Sequence, residues 1–399
     1  MKSIVMTWQA ASTFGWGILG LNVFCHWAVD PDVTPLMVTP IAAQDLRWLD
    51  PLRQMAIREA VGVSNTFAEQ VAKTGPADTL QLDCPVIHGL GNGLAPTRFR
   101  GTKNVGRLIF EDTRFDHFEE KTERYDALLV ASTWARDLVR AHTTRPVHLI
   151  HEGVDPSVFF PGPRSALLDP RRFYVFSGGK IEFRKAQDLV VAAFRVFAAR
   201  HRDAVLVTSW HSPWPRISAG FAGTLQVPVE LDDTGRVNAT KWAVDNGIPP
   251  AQFVDVGPIP NQLMPQVLRE MDVSLQPSRA EACTNLPAKE AMACGVPVIL
   301  AANSGALDLI DVERNPEDAV LPHCLPLREQ GPVPPGHTTW GTDGWGESHV
   351  DEILNALEYV YANRQDARAM GRRGAAWLVS SHRTWSDHAA ALKALVRGL

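Results

Sequence analysis

The sequence predicts an α/β chain made of two Rossmann-like, doubly wound domains, and three observations carry the prediction. Short apolar runs alternate with longer helical patterns, as in open parallel sheets covered on both faces. The alternation halts at the proline-rich stretch Phe159-Phe160-Pro161-Gly162-Pro163 and then restarts. At 399 residues the chain exceeds one ordinary core and suits two of roughly 150–200 residues each. The expected division is 1–163 for a first domain, 164–380 for a second and 381–399 for a terminal helix.

In the first half, Ser3–Thr7, Pro35–Val38, Pro85–His88, Leu108–Phe110 and Ala127–Ala131 read as strands, with Val147–His151 after them. Asp50–Ala60 and Thr133–Ala141 read as helices, the first with Asp50 as its cap and Pro51 at the first helical position. The second half restarts with strand Phe173–Ser177. Helix Gln187–Arg200 follows, its apolar residues Leu189, Val190, Ala193, Phe194 and Phe197 recurring at helical spacing. Ala204–Thr208, Phe253–Val256, Val273–Gln276 and Val296–Leu300 read as strands, and Asn261–Met271 and Leu286–Ala293 as helices between them. Leu325 to Trp345, rich in Pro, Gly and Thr, reads as a loop. Helices are expected over Val350–Arg364, Arg368–Ser380 and Trp385–Val396.

Charged residues at 21% and hydrophobic ones at 45% fit a packed globular protein and exclude disordered or fibrous architecture. A net charge of −5 argues against a general field for holding long nucleic acid. Arg98, Arg100, Lys103 and Arg107 form a local basic run that reads as a solvated loop. Five cysteines without a CxxC pair favour a reducing, cytoplasmic compartment. The apolar opening is interrupted by Gln9, Ser12 and Thr13 and by a turn-like Gly15-Trp16-Gly17, unlike a signal peptide. No stretch reaches the length of a membrane span.

Each half opens with a strand and a small-residue turn, the arrangement that aims backbone N–H groups at an anion. In the first half Gly15 and Gly17 are the candidates, although the turn lacks the full dinucleotide pattern and equally suits a tight turn packed on a neighbour. In the second half Ser177-Gly178-Gly179-Lys180 precedes Ile181-Glu182-Phe183-Arg184-Lys185 and a helix, which puts cations where a diphosphate needs them. Lysines on a loop are otherwise a solvated face. No HExxH or His/Cys ligand cluster is present, and Asp232-Asp233 beside Thr234-Gly235 reads as a turn.

The segments Tyr125-Asp126-Ala127-Leu128-Leu129-Val130-Ala131-Ser132, His151-Glu152-Gly153-Val154-Asp155, Ser177 to Phe194, and Val256 through Ile299 strongly resemble glycosyltransferase family 4. The likeness reaches the terminal helix and is weakest over residues 40–105. It implies the GT-B fold, two Rossmann-like domains facing a central cleft with the C-terminal helix crossing back to the first. It also implies a retaining transferase that moves a hexose-type sugar from a nucleoside diphosphate sugar, a UDP-sugar foremost, to an acceptor hydroxyl, with no cofactor and no metal.

Residue by residue, Lys180 and Lys185 match the pair of cations that neutralise the departing diphosphate, where charge accumulates and prepositioned ammonium groups help most. Lys180 stands in place of the usual Arg, and Ala186 in place of Gly. Glu281 and Glu290 resemble the paired glutamates, the first contacting the transferred sugar and the second the ribose. Their interval is eight residues, Ala282 through Lys289, rather than seven. Gly179 and the amides of Thr284, Asn285 and Leu286 are expected to face the diphosphate or sugar, and Ile259 and Leu263 the nucleobase. His88 falls where the family often has a histidine near the sugar, although a strand-end histidine is also an ordinary hydrogen-bonded loop residue.

Glu111, Asp112 and Trp210 are acceptor-side candidates, with an aromatic cluster closing a domain edge as the other reading of Trp210. The acceptor itself is left open among glycan, lipid-linked sugar, small molecule, protein and modified nucleic acid base. Two other readings are a sugar-nucleotide epimerase or phosphorylase on the same architecture, and an inactive nucleotide-sugar-binding module.

Overall fold

The computed structural model describes residues 3–310, 322–334 and 341–399. Two compact units emerge, the first comprising Met1–Asp155, Pro260–Gln262 and His382–Leu399, the second Pro156–Ile259 and Leu263–Ser381.

The first unit is built on strands β1 (Ser3–Met6), β2 (Thr34–Met37), β3 (Val86–Leu90), β4 (Asn104–Leu108), β5 (Ala127–Val130) and β6 (Val147–Leu149). They pair in the order β2-β1-β3-β4-β5-β6, all parallel. Residues of β5 are buried on both faces, as a sheet covered on two sides requires. Strand β4 begins four residues before the expected Leu108. Its Arg107 is buried and bonded to Glu152 at 3.1 Å, and this charge broke the apolar run that would have revealed the strand.

Gly15 and Gly17 do not form a turn. They begin helix α1 (Gly15–Ala28), whose N-cap is the extended Phe14. The glycines serve close packing: a Cβ on Gly17 would lie 2.6 Å from Ala11 Cβ, and one on Gly20 would lie 2.7 Å from the Gln9 carbonyl. Helix α2 starts as expected, with the Asp50 carboxylate accepting from Arg53 N at 2.9 Å, but runs from Pro51 to Ala72. Its buried stripe of Ile57, Ser64, Ala68 and Val71 is too sparse to declare the full length. Helix α3 (Thr133–Arg140) is capped by the Ser132 hydroxyl.

The terminal helix Trp385–Gly398 belongs to this unit and opens with a capping box of Thr384 and Asp387. It packs where Trp27 Nε1 donates to the Ala389 carbonyl at 3.0 Å. Gly153 must be glycine here, since a Cβ would stand 2.1 Å from the Thr384 carbonyl carbon.

The second unit holds β7 (Phe173–Gly178), β8 (Ala204–Ser209), β9 (Phe253–Asp255), β10 (Val273–Gln276), β11 (Val298–Ala301) and β12 (Leu325–Leu327). Their order is β9-β8-β7-β10-β11-β12, again parallel. Strand β12 lies in the stretch expected to be loop; at three residues with a central proline, and at the sheet's edge, it carries little strand signal. Helices α4 (Gln187–Arg200), α5 (Leu286–Ala293), α6 (Val350–Ala362) and α7 (Arg364–Ser380) complete the layers. The expected helix Asn261–Met271 is a short 3-10 turn followed by Met264–Leu268. The strand order reverses between β7 and β10, and such a reversal opens a crevice at the strands' carboxyl ends.

Among the described residues no helix is long and apolar enough to cross a membrane, and no disulfide joins the five cysteines.

Candidate active site

The two strands flanking that reversal deliver most of the second-half candidates to one place. Strand β7 ends at Gly178, and the next residue, Gly179, has φ +112°, a conformation open to glycine. The chain continues through Lys180 to a 3-10 turn, Phe183–Lys185, and enters α4 through Ala186. Ala186 sits in the left-handed region at φ 57°. That costs an alanine about 1 kcal/mol and gives a physical reason for the glycine that the resembled pattern carries there. From β10 the chain runs through Ser278, Arg279 and Glu281 into α5.

Lys185 and Glu281 meet directly. The Lys185 Nζ donates to Glu281 Oε1 at 2.8 Å and to Oε2 at 2.7 Å, and Arg184 Nη1 reaches Oε2 at 3.2 Å. Arg184 Nη2 also bonds Glu182 at 2.6 Å, and Lys180 Nζ lies 3.1 Å from the other Glu182 oxygen. Burial alone would raise the Glu281 carboxyl, but Lys185 and Arg184 outweigh it and hold the pKa below the usual glutamate value. Glu281 is therefore ionised at neutral pH. Across these five side chains, three cations face two carboxylates, leaving one net positive charge. Arg184 is the member that sequence reasoning did not assign; the alternation of Glu182, Arg184 and Lys185 along one short turn is the signal that marks it.

A second layer fixes this loop pair. Arg279 is fully buried, forks onto both oxygens of Asp188 at 2.9 and 2.7 Å, bonds Glu347 and the Phe183 carbonyl, and lies over the Phe183 ring. Arg279 N also donates to the Arg184 carbonyl at 2.8 Å. The two loops that carry Lys185 and Glu281 are thus tied together behind the charges.

Thr284 and Asn285 are buried, and Leu286 is the first residue of α5. Glu290 lies buried within α5. Ile259 and Leu263 are partly buried on the segment between β9 and the Met264–Leu268 helix. Trp210 is not available to an acceptor. It is 2% exposed, donates from Nε1 to Ser177 Oγ and packs on Trp242 and Phe253 in the core of the second unit. Trp214, four residues on, is 47% exposed and lies 5.9 Å from Lys180 Nζ.

In the first unit, Glu111 is exposed and Asp112 half-buried, on the loop after β4. Asn92 holds that loop, donating to the Asp112 carbonyl and accepting from Glu111 N, both at 2.6 Å. His88 does not present its ring to a ligand. It is completely buried in β3, with Nε2 donating to Asn104 Oδ1 at 3.1 Å, Nδ1 accepting from Thr97 at 2.6 Å, and Tyr125 edge-on at 5.3 Å. Among the described residues, no three or more His, Cys, Asp or Glu side chains are grouped to hold a metal ion.

Burial pushes the His88 pKa down to about 4 from 6.5. Between those values an unfolded chain takes up a proton that the folded one refuses, so acid destabilises the first unit. The loss should grow as pH falls from 6.5 to 4, up to roughly 3 kcal/mol. A melting series from pH 7 to pH 4.5 checks this, and the drop should shrink in His88→Asn.

Residues 163–315 match the family model described as glycosyl transferases group 1, and residues 259–392 match family 4 glycosyltransferase in conflict systems. A D-inositol 3-phosphate glycosyltransferase of Mycobacterium sp. (strain KMS) is 31% identical over 196 residues, covering 47% of this chain and 39% of that protein. One from Segniliparus rotundus is 26% identical over 297 residues, covering 72% and 53%. The chain spans about half the length, or less, of these curated relatives. Among solved structures, sucrose-phosphate synthase from Thermosynechococcus elongatus superposes with a TM-score of 0.66 at 17% identity, over 100% of this chain and 99% of that one. Anabaena HepE in complex with UDP-glucose gives 0.62 at 12% identity, with 100% of each covered. The chain is thus similar to glycosyl transferases of group 1 and of family 4 over residues 163–392, and it has the GT-B fold along its whole length.

Proposed function

We propose that this chain is a retaining glycosyltransferase that moves a hexose from a nucleoside diphosphate sugar, a UDP-hexose, to an acceptor hydroxyl without a metal or other cofactor. One observation carries the reading: Lys180, Arg184 and Lys185 converge with the start of α5 at the carboxyl edge of the second sheet, beside the strand-order reversal. A departing diphosphate develops negative charge there, and fixed cations with helix N-terminal amides lower its energy more than that of the bound donor. Glu290, in α5, takes the ribose hydroxyls. Gly179 lets the backbone approach the phosphates, and Ile259 and Leu263 border the base. The acceptor falls to the first unit, where Glu111 and Asp112 offer carboxylates to hydroxyl groups. The UDP-glucose complex of HepE supports the choice of carrier.

Melting measurements with UDP, GDP and ADP test the reading. A nucleotide at about 100 times its Kd should stabilise the protein by roughly 2.7 kcal/mol. Glu290→Ala should weaken nucleotide binding by about ten-fold or more, a charged hydrogen bond being lost, with little change in turnover at saturation. If no nucleoside diphosphate raises the melting temperature, the proposal fails.

A further inference from the structure

Eight residues separate Glu281 from Glu290, one more than in the motif they resemble. Within that interval Asn285 has its backbone at φ 62°, ψ 91°. Positive φ is rare for residues other than glycine, and asparagine is among the side chains that tolerate it best. Both ends of its amide are used. Oδ1 accepts from Ala288 N at 3.0 Å and caps α5, while Nδ2 donates to Glu281 Oε1 at 2.9 Å. Lys185 and Arg184 hold the same carboxylate, and Glu281 N donates to Ser304 Oγ at 2.7 Å.

We infer that the Asn285 side chain is a positioning group for Glu281, the device by which a loop of this length still sets that carboxylate on Lys185. The inference rests on the donor-site reading of Glu281 given above. Lys185 and Arg184 hold the carboxylate by charge, and Ser278 also bonds it. The amide adds a directional donor anchored in the first turn of α5, so the helix start and the carboxylate move as one body. If the loop relaxes, Glu281 is displaced while the phosphate-facing cations remain in place. Asn285 therefore acts on turnover through Glu281 rather than on nucleotide affinity.

Two variants separate positioning from folding. Asn285→Ser and Asn285→Asp each keep an oxygen able to cap α5, and each lacks the amide donor. UDP affinity and the turnover of UDP-glucose hydrolysis are measured from pH 5 to pH 8. UDP Kd should stay within about two-fold, while turnover falls about ten-fold in Asn285→Ser and further in Asn285→Asp. In Asn285→Asp the acid limb of the profile should move to higher pH, because a carboxylate that loses a donor and gains a like charge is protonated more readily. Unchanged turnover in both variants would overturn the inference, and so would an equal loss in both with the acid limb unmoved. Should the unsubstituted protein neither bind UDP nor hydrolyse UDP-glucose, the donor-site reading is what fails. Crystal structures of that protein and of Asn285→Ser then decide the positioning role: a Glu281 carboxylate that has left Lys185 supports it, and one that stays overturns it.

Discussion

Lys185→Ala is expected to lower turnover on a nucleoside diphosphate sugar by about 10²–10³-fold, the usual effect of removing one prepositioned donor from a developing oxyanion. The structure adds a second consequence. Lys185 donates to both oxygens of Glu281, so its removal leaves a buried carboxylate held by Arg184, Asn285 and Ser278 alone among the described side chains. Glu281 should then become easier to protonate, and the acid limb of the pH profile should rise. Lys185→Arg keeps the charge and should recover part of the turnover, short of the whole because the planar fork does not reproduce the ammonium's geometry. Steady-state kinetics on the three proteins, with UDP affinity measured alongside, checks this. A Lys185→Ala enzyme with unaltered turnover would remove the residue from the reaction.

Arg279→Ala should be the most damaging change to stability, by about 3–5 kcal/mol, because it breaks a buried ion pair and strands its partner. Asp188 is as deeply buried as Arg279, and Glu347 is largely so. The loss is read from denaturant unfolding of the second unit. Loss of donor affinity should follow even where the variant is folded, since Arg279 ties the Arg184 carbonyl and Phe183 to the loop bearing Glu281. Arg279→Lys is no substitute: a single ammonium cannot span both Asp188 oxygens while reaching Glu347.

The second unit was far more legible in the sequence than the first. Most of its elements lie where the apolar runs and helical spacing put them, and Gln187–Arg200, Val273–Gln276 and Leu286–Ala293 have the expected limits. In the first unit, packing overrode local signals. The glycines of α1 look like a turn because glycine has no side chain to reveal that it lies under a neighbouring loop. Arg107 hid a strand because a buried ion pair reads in sequence as a solvated charge. His88 and Trp210 show the same limit from another side. A histidine and a tryptophan at strand ends are equally suited to a ligand or to a core, and only their neighbours decide. The meeting of Lys185 with Glu281, 96 positions apart, follows from the order of β7 and β10 in the sheet, which no local pattern encodes.

The terminal helix gives the chain an uncommon birth order. Trp27 finds its acceptor at Ala389, 362 residues later, and Gly153 closes against Thr384. On a ribosome adding roughly 5–20 residues per second, that wait is about 20–70 s. The nascent first unit spends it with the indole N–H of Trp27 and the small surface at Gly153 uncovered, while the whole second unit is made and can fold. A chaperone that shields early-emerging apolar segments therefore has its longest engagement with the first unit, although that unit leaves the exit tunnel first.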